Sequence, residues 1–222
     1  MSVNVWLRMV GVICLAASLA AGAQTPAKAP VPNRAQALKA LEQPSANERL
    51  SGVQRLADVG TMADADRLVA RLRDDDPRVR MEAATSMWQI WSRSGDKAID
   101  ALYQRGVQQM EAARFREAAA TFSDIIRKKP AFAEAWNKRA TTYYLMGEFD
   151  LSLKDCEEVM KRNRNHFGAL SGYGQIYLIL GDFERSLTYF ERALKVNPNM
   201  TSAESAMRQI QQHLQEKQRN TI

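Results

Sequence analysis

Gly147-Glu148-Phe149 returns 34 positions on as Gly181-Asp182-Phe183, and Tyr143 returns at the same shift as Tyr177. One period upstream of Phe149 stands Phe115, so a third copy precedes these two. A fixed period of this length marks stacked helix pairs. A single pair cannot bury its apolar face alone and must stack on a copy of itself. The stretch from Ala133 to Met200 therefore decides the fold, and the rest of the chain is read outward from it.

The third copy is the clearest. Leu170, Tyr173-Gly174, Tyr177, Ser186, Phe190 and Pro198 follow one another at set spacings. Gly174 and Ser186 are small where two helices of a pair must approach closely, and Tyr177, Phe183 and Phe190 fill the gaps around that contact. Pro198 cannot continue a helix, so it ends the second one. The second copy carries Trp136, Arg139-Ala140, Tyr143, Ser152 and Cys156, with Arg164 in the proline slot. The first carries Leu102, Arg105-Gly106, Gln109, Ala118, Phe122 and Pro130. This alternation of bulky, small and aromatic residues closed by proline resembles the tetratricopeptide repeat. The repeats are placed at 99–132, 133–166 and 167–200. Trp136, in the bulky slot, is expected to be buried between the two helices of its pair. From Thr201 on, Ala203, Met207, Ile210 and Leu214 recur at helical spacing, so 201–222 reads as a capping helix and tail.

Residues 34–96 show helical periodicity and no strand signals. Ala37, Leu38 and Leu41 share one face; Leu50, Val53, Leu56 and Ala57 share another before Gly60 stops that helix. Ala65, Leu68, Val69 and Leu72 line a third. Asp74-Asp75-Asp76-Pro77 is a turn with proline at the first position of a fourth helix, whose inward residues are Val79, Ala83, Ala84, Met87 and Ile90. Arg49, Val53 and Leu56 match Arg80, Ala84 and Met87 at a shift of 31. Asp76-Pro77-Arg78-Val79-Arg80 followed by Ala83-Ala84 resembles the second helix of a HEAT repeat. That resemblance implies Asp–Arg hydrogen bonds between units; two unrelated hairpins are the alternative. Gly95-Asp96 gives a helix stop and an N-cap back to back. With so short a join, both repeat types are expected to stack as one curved rod. The fold expected is all-α, a right-handed α-solenoid of HEAT-like pairs followed by tetratricopeptide repeats.

The first 23 residues read as a signal peptide. Arg8 precedes an apolar run from Met9 to Ala20, and Ala21-Gly22-Ala23 precedes a cut near Gln24. The run is short for a membrane span; an uncleaved anchor is the alternative. Residues 24–33 hold three prolines and read as a linker. A periplasmic or secreted location follows. Cleavage would remove Cys14 and leave Cys156 alone, which excludes an intramolecular disulfide. The net charge of +6 favours an acidic partner without singling out nucleic acid.

Little of the sequence points to chemistry. His166 and His213 lack metal-ligand spacing with each other or with Cys156. His166 falls at a repeat boundary and reads as a surface turn residue. Cys156 stands where its neighbouring repeats have Phe122 and Phe190, and reads as a packing residue. No phosphate-cradling glycine loop or nucleophile elbow is present. The chain is expected to be no enzyme and to carry no cofactor and no metal.

The resemblance implies instead that the first helix of each repeat lines a concave face. The family's ligand-facing slots fall here on Asp100, Tyr103, Gln104, Val107 and Met110, then on Glu134, Asn137, Lys138, Thr141 and Tyr144. In the third repeat they fall on Gly168, Ser171, Gly172, Gln175 and Leu178. The Lys/Asn clamp with which some members grip a C-terminal carboxylate is absent, because Tyr103, Val107, Gly168 and Gly172 stand in its place. The expected partner groove is Tyr103, Gln104, Val107, Asn137, Lys138, Thr141, Tyr144, Ser171, Gln175 and Leu178, exposed and shaped for a peptide or protein segment. A second candidate is a basic edge, Arg127, Lys161 and Lys195, which repeats at a shift of 34. It would serve an anionic surface, although cations at helix C-termini are also what the helix dipole favours. The reading is an exported interaction module acting as adaptor, assembly factor or chaperone-like element. Nucleic acid is not an expected partner, and contact with a membrane surface is the lesser reading.

Overall fold

Asn33, the first residue that the computed structural model describes, caps the first helix: its side chain accepts from the Gln36 N–H and the Gln36 side chain returns the bond. Residues 33–219 are described; the expected signal segment and the linker up to Pro32 lie outside them. Among the described residues there are eleven α-helices and one 3-10 turn, and no strand. The N-terminal part holds α1 (Arg34–Ala40), α2 (Ala46–Val59), the 3-10 turn Met62–Asp64, α3 (Ala65–Arg71) and α4 (Pro77–Trp91). Three pairs follow: α5 (Lys97–Glu111) with α6 (Phe115–Lys128), α7 (Ala133–Leu145) with α8 (Phe149–Arg162), and α9 (Phe167–Ile179) with α10 (Phe183–Val196). The last helix is α11 (Thr201–Arg219).

Within the repeats, packing follows the expected small-against-aromatic rule. A Cβ added to Gly106 would lie 2.7 Å from the Phe122 ring, and one added to Gly174 would lie 2.7 Å from the Phe190 ring. The Ser186 hydroxyl donates to the Gly174 carbonyl and the Ser152 hydroxyl to the Ala140 carbonyl, which ties the two helices of a pair at their closest approach. The turn inside each pair needs a left-handed residue. Gly147 and Gly181 supply it, at φ 77° and 75°, while repeat one places Ala113 there at φ 55°. Helix α11 packs on the last pair, with Ala203 and Ile210 buried and Met207 and Leu214 against the cluster they form with Phe190.

The N-terminal helices are joined differently. Arg49 of α2 donates twice to buried Asp74, both bonds at 2.7 Å, and Arg71 adds a third contact. Arg34 forks onto Asp64 in the same way. Arginine–aspartate bonds do therefore link the pairs, but through Asp74 rather than Asp76. Asp76 instead caps α4 and pairs with Arg78, which hold its carboxyl down to about 2.

The expectation of one curved rod does not hold. Helix α4 does not stack on α5. Instead, the α3–α4 side lies along the turns that join successive repeats. Ser94 accepts from the Lys129 ammonium, the Asn165 amide donates to Asp66, and Arg73 donates to the carbonyls of Lys195 and Val196. The Asn199 amide reaches the Leu72 carbonyl, and Phe167, Val196 and Met200 enter the N-terminal core. The physical reason is aromatic: Trp88 and Trp91, at the end of α4, find their apolar cover on the repeats rather than on α5.

Candidate binding groove

The face expected to be concave is that of α5, α7 and α9, the first helices of the three pairs. Its depth at repeat two comes from one slot. Phe122 and Phe190 fill the space between the helices of repeats one and three, whereas repeat two has Cys156 there, opposite Ala140. The volume of a ring is missing. Gly172 on α9 adds to the space, since a Cβ there would stand 3.7 Å from the Cys156 sulfur and meet nothing else. The result is a pocket of about 200 Å³ floored by Cys156, Ala140 and Ile176. Asn137, Thr141 and Tyr144 wall it from α7, and Ser171 and Gln175 from α9. Burial, with Asp155 next to it, pushes the Cys156 thiol up to about 12, so it is a neutral packing group and not a nucleophile at neutral pH.

Those five wall residues belong to the expected groove; the others sit elsewhere. Tyr103, expected to be exposed, is buried: its hydroxyl lies against Ser92 Oγ and donates to Glu134 Oε1 at 3.3 Å. Asn137 and Ser171 are also buried, at the bottom of the groove rather than on its rim. Lys138 points to the N-terminal helices, 3.7 Å from Glu134 and 6.0 Å over the Trp88 ring. Gln104 is exposed at a separate depression beside Trp88 and Gln89. Val107 packs against the Phe122 cluster and Leu178 against that of Phe190. Gly168 is a slot filled from outside, because a Cβ there would stand 2.4 Å from Trp88. The N-terminal helices thus occupy one end of the concave face and leave the pocket between α7 and α9 open.

One constellation escaped the sequence reading. His166, expected in a surface turn, is fully buried and caps α9. Its Nδ1 accepts from the Ala169 N–H at 3.0 Å, so Nε2 carries the proton and donates to Glu134 Oε2 at 2.9 Å. The Trp91 ring stacks on the imidazole at 4.4 Å. Burial alone would raise the Glu134 carboxyl; His166, then Lys138 and Asn137, outweigh it and hold the carboxyl below its ordinary range. The signal that was available is position: His166 is the residue before the first turn of α9, where capping side chains stand. Trp136 was also misplaced. It is half-buried, donates its indole N–H to the Pro130 carbonyl, and lies between the guanidinium groups of Arg139 and Arg162. Arg139 itself forks onto Asp155, so the slot is held by charge as well as by packing.

The basic edge carries its own counterions. Arg127 pairs with Asp124, and Lys161 with Glu157 and Glu158. Lys195 is exposed, and its backbone carbonyl is taken by Arg73.

Comparison with known proteins agrees with the fold of paired helices. Tetratricopeptide-repeat models match residues 96–160 and 132–199. A TPR repeat-containing protein of Rhizobium etli is 36% identical over 112 residues, which is 50% of this chain; the chain spans only 55% of that relative's length. Among solved structures, the TPR domain of Sgt2 from Aspergillus fumigatus superposes with a TM-score of 0.53 at 17% identity, over 56% of this chain and 83% of that one. The first TPR of Spaghetti (RPAP3), bound to an HSP90 peptide, gives 0.51 at 24% identity, over 52% of this chain and 92% of that one. At such identities the likeness is one of fold.

Proposed function

Residues 96–199 of this chain are tetratricopeptide repeats, and from that premise we propose that it binds an extended protein segment in its concave groove. One apolar side chain of that segment enters the pocket between α7 and α9. The observation that carries this reading is the pocket itself: repeat two gives up the aromatic that its neighbours have, and Gly172 leaves the opening clear. An apolar floor rimmed by Thr141, Tyr144 and Gln175 suits a peptide whose side chain is buried while its backbone is hydrogen-bonded. That the RPAP3 domain is bound to an HSP90 peptide, and a TPR domain of yeast Sti1 is in complex with pHsp70, supports peptide recognition on this architecture. The role is that of a non-enzymatic adaptor, assembly factor or chaperone-like element. Arg8, the apolar run and Ala21-Gly22-Ala23 further support export, with cleavage near Gln24. Intact-mass measurement from the native host should show Met1–Ala23 gone, and retention of Trp6 would refute this.

The test of the groove fills it. Gly172→Leu places a side chain in the pocket, and binding of the native partner should weaken tenfold or more, at about the level of losing one hot-spot anchor. A variant with Arg127, Lys161 and Lys195 all changed to Gln should bind nearly as well as wild type, with a weaker dependence on salt. The reverse pattern would move the site to the basic edge.

A further inference from the structure

Among the described residues, two buried side-chain nitrogens have no hydrogen-bond partner: Trp91 Nε1 and Asn163 Nδ2. Both residues wall the same cavity, of about 290 Å³, at the seam between the N-terminal helices and the repeats. A buried N–H without an acceptor is costly, so two beside one space mark a place where an acceptor belongs. The amide of Asn163 is not free to turn over, because its Oδ1 already accepts from the Asn165 N–H.

The rest of the wall points to a negative ligand. Arg93, Lys129 and Arg162 line the cavity, and Arg162 is already paired with Glu158. Arg93 and Lys129 hydrogen-bond backbone carbonyls, of Ala57, Gly60 and Ser94, rather than carboxylates, so their charged groups are held in place without a hydrogen-bonded carboxylate partner. The N-terminus of the 13-residue helix α7 opens here through Ala133, and its N-cap, Phe132, offers no capping side chain. Helix N-termini of this kind favour an anion. One carboxylate, Glu134, also borders the space. Its oxygens are engaged by His166, Asn137 and Tyr103, and its charge disfavours a dianion. Met62, Phe132 and the Trp91 ring make the remaining surface apolar.

We propose that this cavity is a second binding site, for a small organic monoanion: a planar carboxylate on a short apolar body. Its two oxygens accept from the Trp91 indole and the Asn163 amide, the Arg93 and Lys129 cations hold its charge, and its body lies against Met62 and Phe132. The site lies outside the groove, and it couples ligand to the seam because Trp91 comes from α4 and Asn163 from the end of α8.

Sodium benzoate, titrated into the full chain, tests this by NMR of the tryptophan indole N–H groups. The Trp91 signal is assigned by its loss in Trp91→Phe, which keeps a ring on His166. Benzoate should shift it saturably, with a Kd of about a millimolar or tighter. Benzyl alcohol, which has the ring without the charge, should not. Asn163→Asp keeps the acceptor for Asn165 but replaces the donor by a charge, and should abolish the shift. Trp91→Phe, followed by calorimetry, should weaken binding about tenfold, the effect of one hydrogen bond to a charged group. Absence of a saturable shift in wild type would overturn the proposal and leave the donors to water. Equal binding of benzyl alcohol would make the cavity merely apolar, tighter binding of inorganic phosphate would make it a phosphate site, and undiminished binding by Asn163→Asp would place the ligand elsewhere; each defeats the claim.

Discussion

The N-terminal helices and the repeats solve the same packing problem by different means. In the repeats, register comes from shape: a small residue admits an aromatic ring from the partner helix, as at Gly174 and Phe190. In α1 to α4 it comes from charge over an apolar core of Leu41, Leu56, Leu68, Leu72 and Met87. Arg34 and Arg49 fork onto Asp64 and Asp74, both nearly removed from solvent. Close apolar packing is insensitive to pH, whereas an ion pair with a buried carboxylate is not. The two regions should therefore fail under different conditions, and the seam at His166 should decide whether they fail together.

The largest effect is expected at that seam. His166→Ala removes the partner of a fully buried carboxylate and the ring on which Trp91 stacks, which should cost about 3–5 kcal/mol. Urea melts followed by circular dichroism would show it. If wild type melts in two separate steps and the variant changes neither, the halves are independent and the comparison loses its hinge.

Phe190→Ala should cost about 3–5 kcal/mol as well, through the cavity left against Gly174. The half-buried Trp136 should cost less, about 1–2 kcal/mol on substitution by alanine, because its indole rests between two guanidinium groups and is not enclosed. Equal losses at the two positions would show that the half-buried Trp136 slot is as much a part of the core as the enclosed Phe190 slot.

Acid should separate the regions. Arg49, first among its partners, holds Asp74 below the ordinary carboxylate range against the pull of burial. Burial is the largest influence on Asp64, but Arg34 and Thr61 together outweigh it and lower that group too. Their unfolded forms bind protons more readily, so their stabilisation is complete above the unfolded value, about 4, and is lost as pH falls through the lower native value. Asp155 in repeat two is raised, with burial outweighing Arg139, so its contribution has the opposite sign and protonation relieves it. Hydrogen exchange at decreasing pH should show α2 and α4 losing protection before α8, which holds Asp155, whereas α7 shares the acid sensitivity of the N-terminal helices through Glu134. Loss in the reverse order would refute the assignment of charge to one region and shape to the other.

The smallest expected effect stabilises. Ala113→Gly relieves the left-handed backbone that repeats one's neighbours give to glycine, and should gain about 1 kcal/mol or less. A lower melting temperature would mean that the cost to the unfolded chain exceeds the relief.

The periodic part of this protein was open to reading because each repeat states its rule in neighbouring residues. Helices α5 to α11, their glycine turns and the Gly174–Phe190 contact follow from spacing alone, since helix pairs stacked on copies of themselves make contacts at fixed sequence separation. Cys156 was recognised as a packing residue, but its smaller volume than phenylalanine becomes a pocket only when Gly172 stands opposite, and that pairing is a matter of geometry across two helices. The placement of α1 to α4 lay beyond the sequence for the same reason in stronger form. No repeat relates Trp88 to Gly168, Arg73 to Lys195 or His166 to Glu134, so no spacing announces them. Sequence alone settled what stacks on what within the array. Tertiary structure decided which face of that array the N-terminal helices cover, because burying two tryptophans and satisfying one buried carboxylate depend on the whole surface and not on any local pattern.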